Sequence, residues 1–202
     1  MSKVIIYGEI KGGKLKKTAF ELASAGRKIA DELGGDLGAV LIGAQVEQFA
    51  PELAKYGTDV VYAVEAPELE AYNSEYFAQA LAQVIGEKQP EIVLLSHTMQ
   101  GKDLGPRIAA KLGVASIADC VSFELNDGKL VGKRPMYAGK CSATWAATRS
   151  PQMASARPNT PLKGFKVVKP VVFSSKTRRE SFPRDIGRKM VLKGVDGVIS
   201  AW

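Results

Sequence analysis

Short apolar runs alternate with helix-like stretches four times within the first 113 residues. The runs are of strand length, and a continuous apolar run such as KVIIY suits a strand that is buried on both faces. Each run is followed by apolar residues at the three-and-four spacing of an amphipathic helix. The alternation predicts an α/β fold with three layers, a mostly parallel sheet with helices on both faces. The predicted strands cover residues 3–7, 37–42, 59–64 and 92–95.

End signals mark the predicted helices, of which the first two cover residues 15–33 and 46–56. Glycines at 34–35 and at Gly57 follow them, as is common after a helix. Asn73 or Ser74 is expected to cap the third helix, and Pro90 prevents its continuation. The predicted apolar stripe of the third helix consists of Tyr76, Phe77, Ala80, Leu81, Val84 and Ile85.

Residues 92–113 form the centre of the predicted core. A buried strand passes into the polar loop 96–101, and the fourth helix is expected to begin near Lys102 or Asp103. Ligands of parallel sheets collect at the carboxyl ends of strands, so this loop is where a binding site is sought first. Asp103 is predicted to cap the helix, and Arg107, one turn later, could face a ligand, a partner or solvent.

Two glycine-bearing loops, at residues 8–13 and 98–102, could present backbone amides to a phosphate. Neither loop has the spacing GxGxxG or GxxxxGK[ST]. The residues therefore do not predict a Rossmann dinucleotide site or a P-loop.

The pattern becomes rich in strands beyond Gly113. Residues 114–119 are expected to form a short fifth strand, and Asn126-Asp127-Gly128-Lys129 predicts a hairpin turn between two further strands. Two more extended runs are expected at 142–148 and 152–157, so the prediction is a β-hairpin extension on an α/β core. A last strand, interrupted by proline, is predicted at 166–173.

The net charge of +7 is concentrated near the end of the chain. Residues 163–193 contain ten basic and two acidic residues, whereas residues 1–162 contain 18 of each. A basic segment of this kind could hold nucleic acid through phosphate neutralisation. It has few aromatic residues to stack on bases, so we expect a solvated or partner-facing arm and no nucleic-acid partner.

Several classes of site are disfavoured by the residue types present. Cys120 and Cys141 lack metal-ligand spacing and His97 is the only histidine, so no metal site is expected. A Ser-His-Asp hydrolase would have to use His97, yet no GxSxG motif accompanies it, and no catalytic residue is predicted. No apolar run approaches a bilayer-spanning length and no signal peptide is evident, so we expect a cytoplasmic protein or a mature matrix protein, without membrane insertion.

Five stretches together resemble a known family. They are VIIYGE with GGKL shortly after it, TAFELASAGRKIAD, SHTMQGKDLGPRIAAKLG, DGKLVGKRPMYAGK and SPQMASARPNT. In this order and spacing the chain is similar, over most of residues 3–160, to the N-terminal domain of electron transfer flavoprotein alpha subunits, the family that includes FixB proteins.

The resemblance implies a Rossmann-like fold of the adenine nucleotide alpha hydrolase type and a non-enzymatic electron carrier. In that family an alpha subunit pairs with a beta subunit, and FAD carries electrons from dehydrogenases to a quinone reductase or another acceptor. The flavin lies mainly on a second alpha domain, whose first residues resemble the closing VISAW. We therefore expect an N-terminal domain at 1–162, a basic arm and linker at 163–202, and no tight FAD binding by this chain alone.

The same resemblance implies that residues 98–107 correspond to a nucleotide-binding loop of the family's beta subunit. Here it lacks the beta pattern of acidic, glutamine and threonine residues, so a structural loop is favoured over a nucleotide site. The alternative function is a stand-alone adenine-nucleotide-binding module that uses residues 8–13 and 98–107. The nucleotide-loop candidates are Thr98, Gly101, Lys102, Asp103 and Arg107.

Overall fold

The computed structural model describes residues 2–159, 190–194 and 197–200. The helices are α1 (Lys17–Leu33), α2 (Ala50–Ala54), α3 (Ser74–Lys88) and α4 (Met99–Leu112). The strands are β1 (Ser2–Gly8), β2 (Ile10–Lys11), β3 (Lys14–Leu15), β4 (Asp36–Gly43), β5 (Val60–Glu65), β6 (Ile92–Ser96), β7 (Ser116–Cys120), β8 (Ser122–Asn126), β9 (Lys129–Met136), β10 (Cys141–Ala146), β11 (Gln152–Ala156), β12 (Met190–Gly194) and β13 (Gly197–Ser200).

A central sheet of parallel strands organises the chain, in the order β5, β4, β1, β6, β11, β7. β12 continues the sheet antiparallel beside β5, and β13 pairs antiparallel with β12. One apolar core lies between the sheet and α1 with α2, and the other lies between the sheet and α3 with α4. The predicted three-layer fold is confirmed.

The end signals of the early helices are also confirmed. Gly34 has a φ of 64° and follows α1, while the side chain of Asn73 accepts hydrogen bonds from the amides of Glu75 and Tyr76 at the start of α3. The predicted stripe of α3 is buried except at Tyr76, where the prediction is wrong. Its side chain is 53% exposed because Phe77 and Ala80 set the buried face of the helix, and position 76 falls outside that face.

The β-rich extension is smaller than predicted because β11 belongs to the central sheet, where it lies between β6 and β7. Small residues next to a single methionine allow this strand to be buried on both faces, and residues 153–156 are all buried. A three-stranded antiparallel sheet of β8, β9 and β10 remains separate from the central sheet, and we call it the projecting sheet. Its residues Phe123 and Leu130 are buried in the apolar core on the α1 side. Asp127 and Gly128 have positive φ at its first turn, as the hairpin signal predicts.

The predicted strand at 166–173 and most of the predicted basic arm lie outside the described residues. Among the described residues, none of the helices combines the length and the apolarity that crossing a bilayer requires.

Candidate functional site

The sheet has a topological switch point between β1 and β6. The chain passes from β1 to β4 on one side and later crosses back to β6 on the other, so the loops after β1 and β6 diverge at this point. In open α/β sheets a crevice at the carboxyl ends of such strands is the usual binding place. Here it lies beside the predicted loop of residues 96–101.

Hydrogen bonds bridge this crevice. Thr98 Oγ1 donates to Glu9 Oε2 at 2.5 Å and accepts from the amide of Gly101 at 3.1 Å. Glu9 is only 3% exposed, and Lys16 Nζ lies 2.6 Å from its other carboxylate oxygen. A carboxylate of this chain therefore occupies the place where an anionic ligand would otherwise bind. Sequence reasoning missed Glu9, although an acid directly after the buried first strand was a usable signal.

Helix α4 begins at Met99 rather than near Lys102 or Asp103, and Thr98 caps it. The predicted start was wrong because Thr98 stands among other polar residues and was assigned to the loop. In the structure its Oγ1 accepts from the amide of Gly101, as an N-cap residue does. Asp103 consequently lies in the second turn of the helix and is not its cap.

Gly101 is required by a close backbone contact. A Cβ atom at this position would lie 1.7 Å from the carbonyl oxygen of Ser96, at the end of β6. Glycine is thus required at position 101 because α4 packs closely against the end of β6. The neighbouring residue Gln100 makes a further contact in the crevice, where its Nε2 donates to the hydroxyl of Tyr7 at 2.8 Å.

Asp103 and Arg107 form a separate group with Tyr72, on the exposed side of α4. Arg107 Nε donates to Asp103 Oδ1 at 2.8 Å, and the Tyr72 hydroxyl donates to Asp103 Oδ2 at 2.7 Å. The Arg107 and Tyr72 hydrogen bonds hold the pKa of Asp103 below its usual range. Lys102 is also exposed, and its charge acts on His97. Of the five nucleotide-loop candidates, Thr98 and Gly101 therefore lie at the crevice, and the other three lie on the exposed surface of α4. Their role in ligand binding stays a prediction.

The other glycine-bearing loop, 8–13, is a small hairpin of β2 and β3. Gly12 and Gly13 have φ of 60° and 69°, the conformation that a two-residue hairpin turn requires. The hairpin borders an open cleft of about 1360 Å³ at the carboxyl ends of β4 and β5. Glu65, Glu68 and Glu70 line this acidic cleft, and Glu65 Oε1 accepts from the amides of residues 46 and 47 at 2.6 and 2.9 Å.

A second polar group lies at the carboxyl ends of β6, β11 and β7. Ser155 Oγ lies 3.0 Å from His97 Nδ1 and accepts from the amide of Asp119 at 3.2 Å. Asp119 also receives a bidentate contact from Arg157, at 2.9 and 2.6 Å. Serine, histidine and aspartate meet here, but the buried hydroxyl serves as a structural bridge and the carboxylate is paired with arginine. The arrangement is not a nucleophilic triad.

Removing Arg157 tests the pH dependence that this pairing implies. The Arg157 hydrogen bond lowers the pKa of Asp119, so the pair stabilises the fold above the unfolded pKa, about 4, and the stabilisation is lost as the pH falls further. Arg157→Gln should reduce the free energy of unfolding at pH 6 by up to about 1 kcal/mol, since the pair is partly exposed. Urea denaturation at pH 6 and at pH 3 measures the difference between variant and wild type.

The difference between Arg157→Gln and wild type should shrink at pH 3, whereas Lys133→Gln, which removes an exposed cation of β9, should show little effect at either pH. An Arg157 effect that is unchanged at pH 3 would contradict the assignment.

The projecting sheet presents apolar side chains to solvent. Nearly all of β10 is exposed, Trp145 is 53% exposed, and Tyr137, in the turn before β10, is 76% exposed. Within the described chain β10 pairs only with β9, so its outer edge carries unpaired backbone groups. An exposed aromatic side chain beside an open strand edge is typical of an interaction surface.

No cluster of three potential metal ligands occurs in the part of the chain that the structure describes.

A doubly wound parallel sheet with its switch point between β1 and β6 defines the Rossmann-like class of α/β domains. The electron transfer flavoprotein domain family matches residues 4–171, and the chain belongs to the electron transfer flavoprotein family. The resemblance seen in the five motifs is thereby confirmed.

Curated relatives agree with this assignment. The electron transfer flavoprotein subunit alpha of Bacillus subtilis (strain 168) is 38% identical over 157 residues, which cover 78% of this chain and 48% of the relative. Protein FixB of Clostridium saccharobutylicum is 37% identical over 158 residues, covering 77% and 47%. The acryloyl-CoA reductase electron transfer subunit beta of Anaerotignum propionicum is 36% identical over 178 residues, covering 76% and 48%. The chain spans about half the length of these relatives.

Proposed function

We propose that this chain is the scaffold domain of an electron transfer flavoprotein alpha subunit. With a beta-type subunit and FAD, it would serve an electron carrier that accepts electrons from dehydrogenases and passes them to a quinone reductase or another acceptor. The family assignment supports the class, and the names of the relatives describe them as subunits. The observation that carries the proposal is the projecting sheet, which exposes Trp145, Tyr137 and an open strand edge.

The described loops support a scaffold role more than a cofactor-binding role. At the switch point the buried carboxylate of Glu9 bonds Thr98 and Lys16, and in the acidic cleft the carboxylate of Glu65 accepts the two amides at residues 46 and 47. Negative charge at both places disfavours the phosphates of a dinucleotide. FAD would accordingly be held by the assembled complex and not tightly by this chain alone.

Co-expression with a beta-type subunit from the same genome tests the proposal. We expect the two chains to elute together in size-exclusion chromatography, and this chain alone to lose flavin absorbance on dialysis. Two separate peaks would contradict the pairing. A chain that stays yellow by itself after extensive dialysis would contradict the scaffold role while leaving the pairing intact.

A further inference from the structure

The polar group at the ends of β6, β11 and β7 carries more positive charge than its contacts neutralise. Arg157 is paired with Asp119, but the charges of Lys102 and Arg134 also act on His97, and that of Arg134 acts on Asp119. Three cations and one carboxylate therefore act on His97, an excess of two positive charges among these described residues when the histidine is neutral. We call these five residues the edge cluster.

The backbone at this edge is held in a costly conformation. Asp119 has a φ of 63°, which is uncommon for a residue other than glycine, and the pairing of β7 with β11 changes register between Ala154 and Ala156. The irregularity places the Asp119 carboxylate against Arg157. Strain and bulges of this kind concentrate at functional sites, so the edge cluster is a candidate for a role beyond packing.

Arg134 provides a second, independent observation. It comes from β9, in the projecting sheet, and its Nε atom is buried and has no hydrogen-bond partner among the residues that the structure describes. A buried donor without an acceptor costs free energy, and more so when the group is charged. The guanidinium of Arg134 is charged, so an anion is its best acceptor. Asp119, the carboxylate on which its charge acts, is already paired with Arg157.

The histidine of the cluster is held in place beside the Asp119 carboxylate, whose Oδ1 lies 4.0 Å from Nε2. Its backbone amide donates to the carbonyl of Ala156 at 2.6 Å, and Ser155 fixes the ring through Nδ1. Ser155 already accepts from the amide of Asp119, which favours donation of its own proton to Nδ1 and a proton on Nε2. Burial lowers the pKa of His97; the Asp119 charge opposes this, and the smaller effects of the nearby cations add to the lowering.

We propose that the edge cluster binds a small tetrahedral oxyanion, either inorganic phosphate or the phosphate of a monoester. Arginine forks match phosphate oxygens geometrically, and Lys102 lies in the first turns of α4, where the helix dipole favours an anion. The crevice itself is less suitable because the Glu9 carboxylate is already there. The inference does not depend on subunit pairing, although Arg134 belongs to the projecting sheet.

The single histidine makes the binding measurable, because its ring signals in an NMR spectrum come from His97 alone. Inorganic phosphate is titrated into the full chain at pH 7, with sodium chloride adjusted to keep the ionic strength constant. We expect a saturable shift of the His97 signals. The pKa of His97 should also rise with bound phosphate, because the anion offsets the neighbouring cations.

Arg134→Gln should weaken phosphate binding about tenfold, the loss expected for one charge-assisted hydrogen bond. Lys133→Gln is the matched control, since it removes a cation from the adjacent, exposed position of the same strand. Lys102→Gln, at an exposed position, should also weaken binding and carries the test if Arg134→Gln does not fold.

A second titration with AMP separates the two sources of the phosphate. Tighter binding of AMP supports a monoester ligand, and equal or weaker binding of AMP supports the free ion. The proposal is overturned if the His97 shift is linear and equal to that caused by chloride. It is also overturned if the folded Arg134→Gln variant, or Lys102→Gln in its place, keeps the wild-type affinity.

Discussion

Gly101→Ala is expected to lower the free energy of unfolding by about 3 kcal/mol or more, the upper range for overpacking in a core. The added Cβ would lie 1.7 Å from the carbonyl oxygen of Ser96. The position of a Cβ atom is fixed by the backbone, and the Ser96 carbonyl is itself backbone, so no side-chain rotation relieves the clash and α4 would have to move away from β6. Such a shift would also break the contacts of Thr98 with Glu9 and with the amide at position 101.

Gly105→Ala is the control for this prediction. Gly105 lies one turn later in the same helix, and a Cβ atom there would meet nothing within 4 Å in the described part of the chain apart from its chain neighbours and the backbone of its own helix. The substitution should be neutral or should stabilise the chain by up to about 1 kcal/mol, because alanine has the higher helix propensity. Urea denaturation of both variants measures the contrast. Similar effects at the two positions would show that Gly101 is not required by the contact with Ser96.

Trp145→Ala is expected to weaken association with a beta-type subunit by at least about tenfold, as is typical when a central interface aromatic is truncated. The side chain is 53% exposed on β10, beside an open strand edge, and it would be buried only in the complex. Because it is exposed in the isolated chain, the free energy of unfolding should change little. Titration calorimetry with the purified subunit measures the affinity.

Tyr76→Ala provides a control of equal exposure. Tyr76 is also 53% exposed, but it lies on α3, away from the projecting sheet. Its substitution should leave the affinity unchanged. If the two variants bind equally well, the projecting sheet is not the docking surface. If Tyr76→Ala alone weakens binding, the partner contacts the helical face instead.

Local patterns were sufficient to predict the alternation of strands and helices, because apolar spacing and end residues act over short distances. The buried run at β1 and the cap at Asn73 are examples. The position of β11 could not be predicted in this way, because strand order depends on contacts between distant parts of the chain. The start of α4 was placed too late because a capping threonine among polar residues resembles a loop.

The candidate sites were less predictable for the same reason. The loop before α4 could be located from the end of a buried strand, but its principal contact joins Thr98 to Glu9, 89 positions earlier. The edge cluster exists only because β11 is inserted beside β7, which brings Arg157 to Asp119. No spacing within one segment indicates a cluster that is formed by the order of the strands.

The order of the strands also gives the carboxyl edge of the sheet an electrical polarity. The acidic cleft lies beyond β4 and β5, and the edge cluster lies beyond β6, β11 and β7, several strand widths or about 15–20 Å away. Opposite charges thus stand at the two ends of one edge. A charged partner that approaches this edge would experience a torque before it made contact, so the sheet would favour one orientation of the encounter complex.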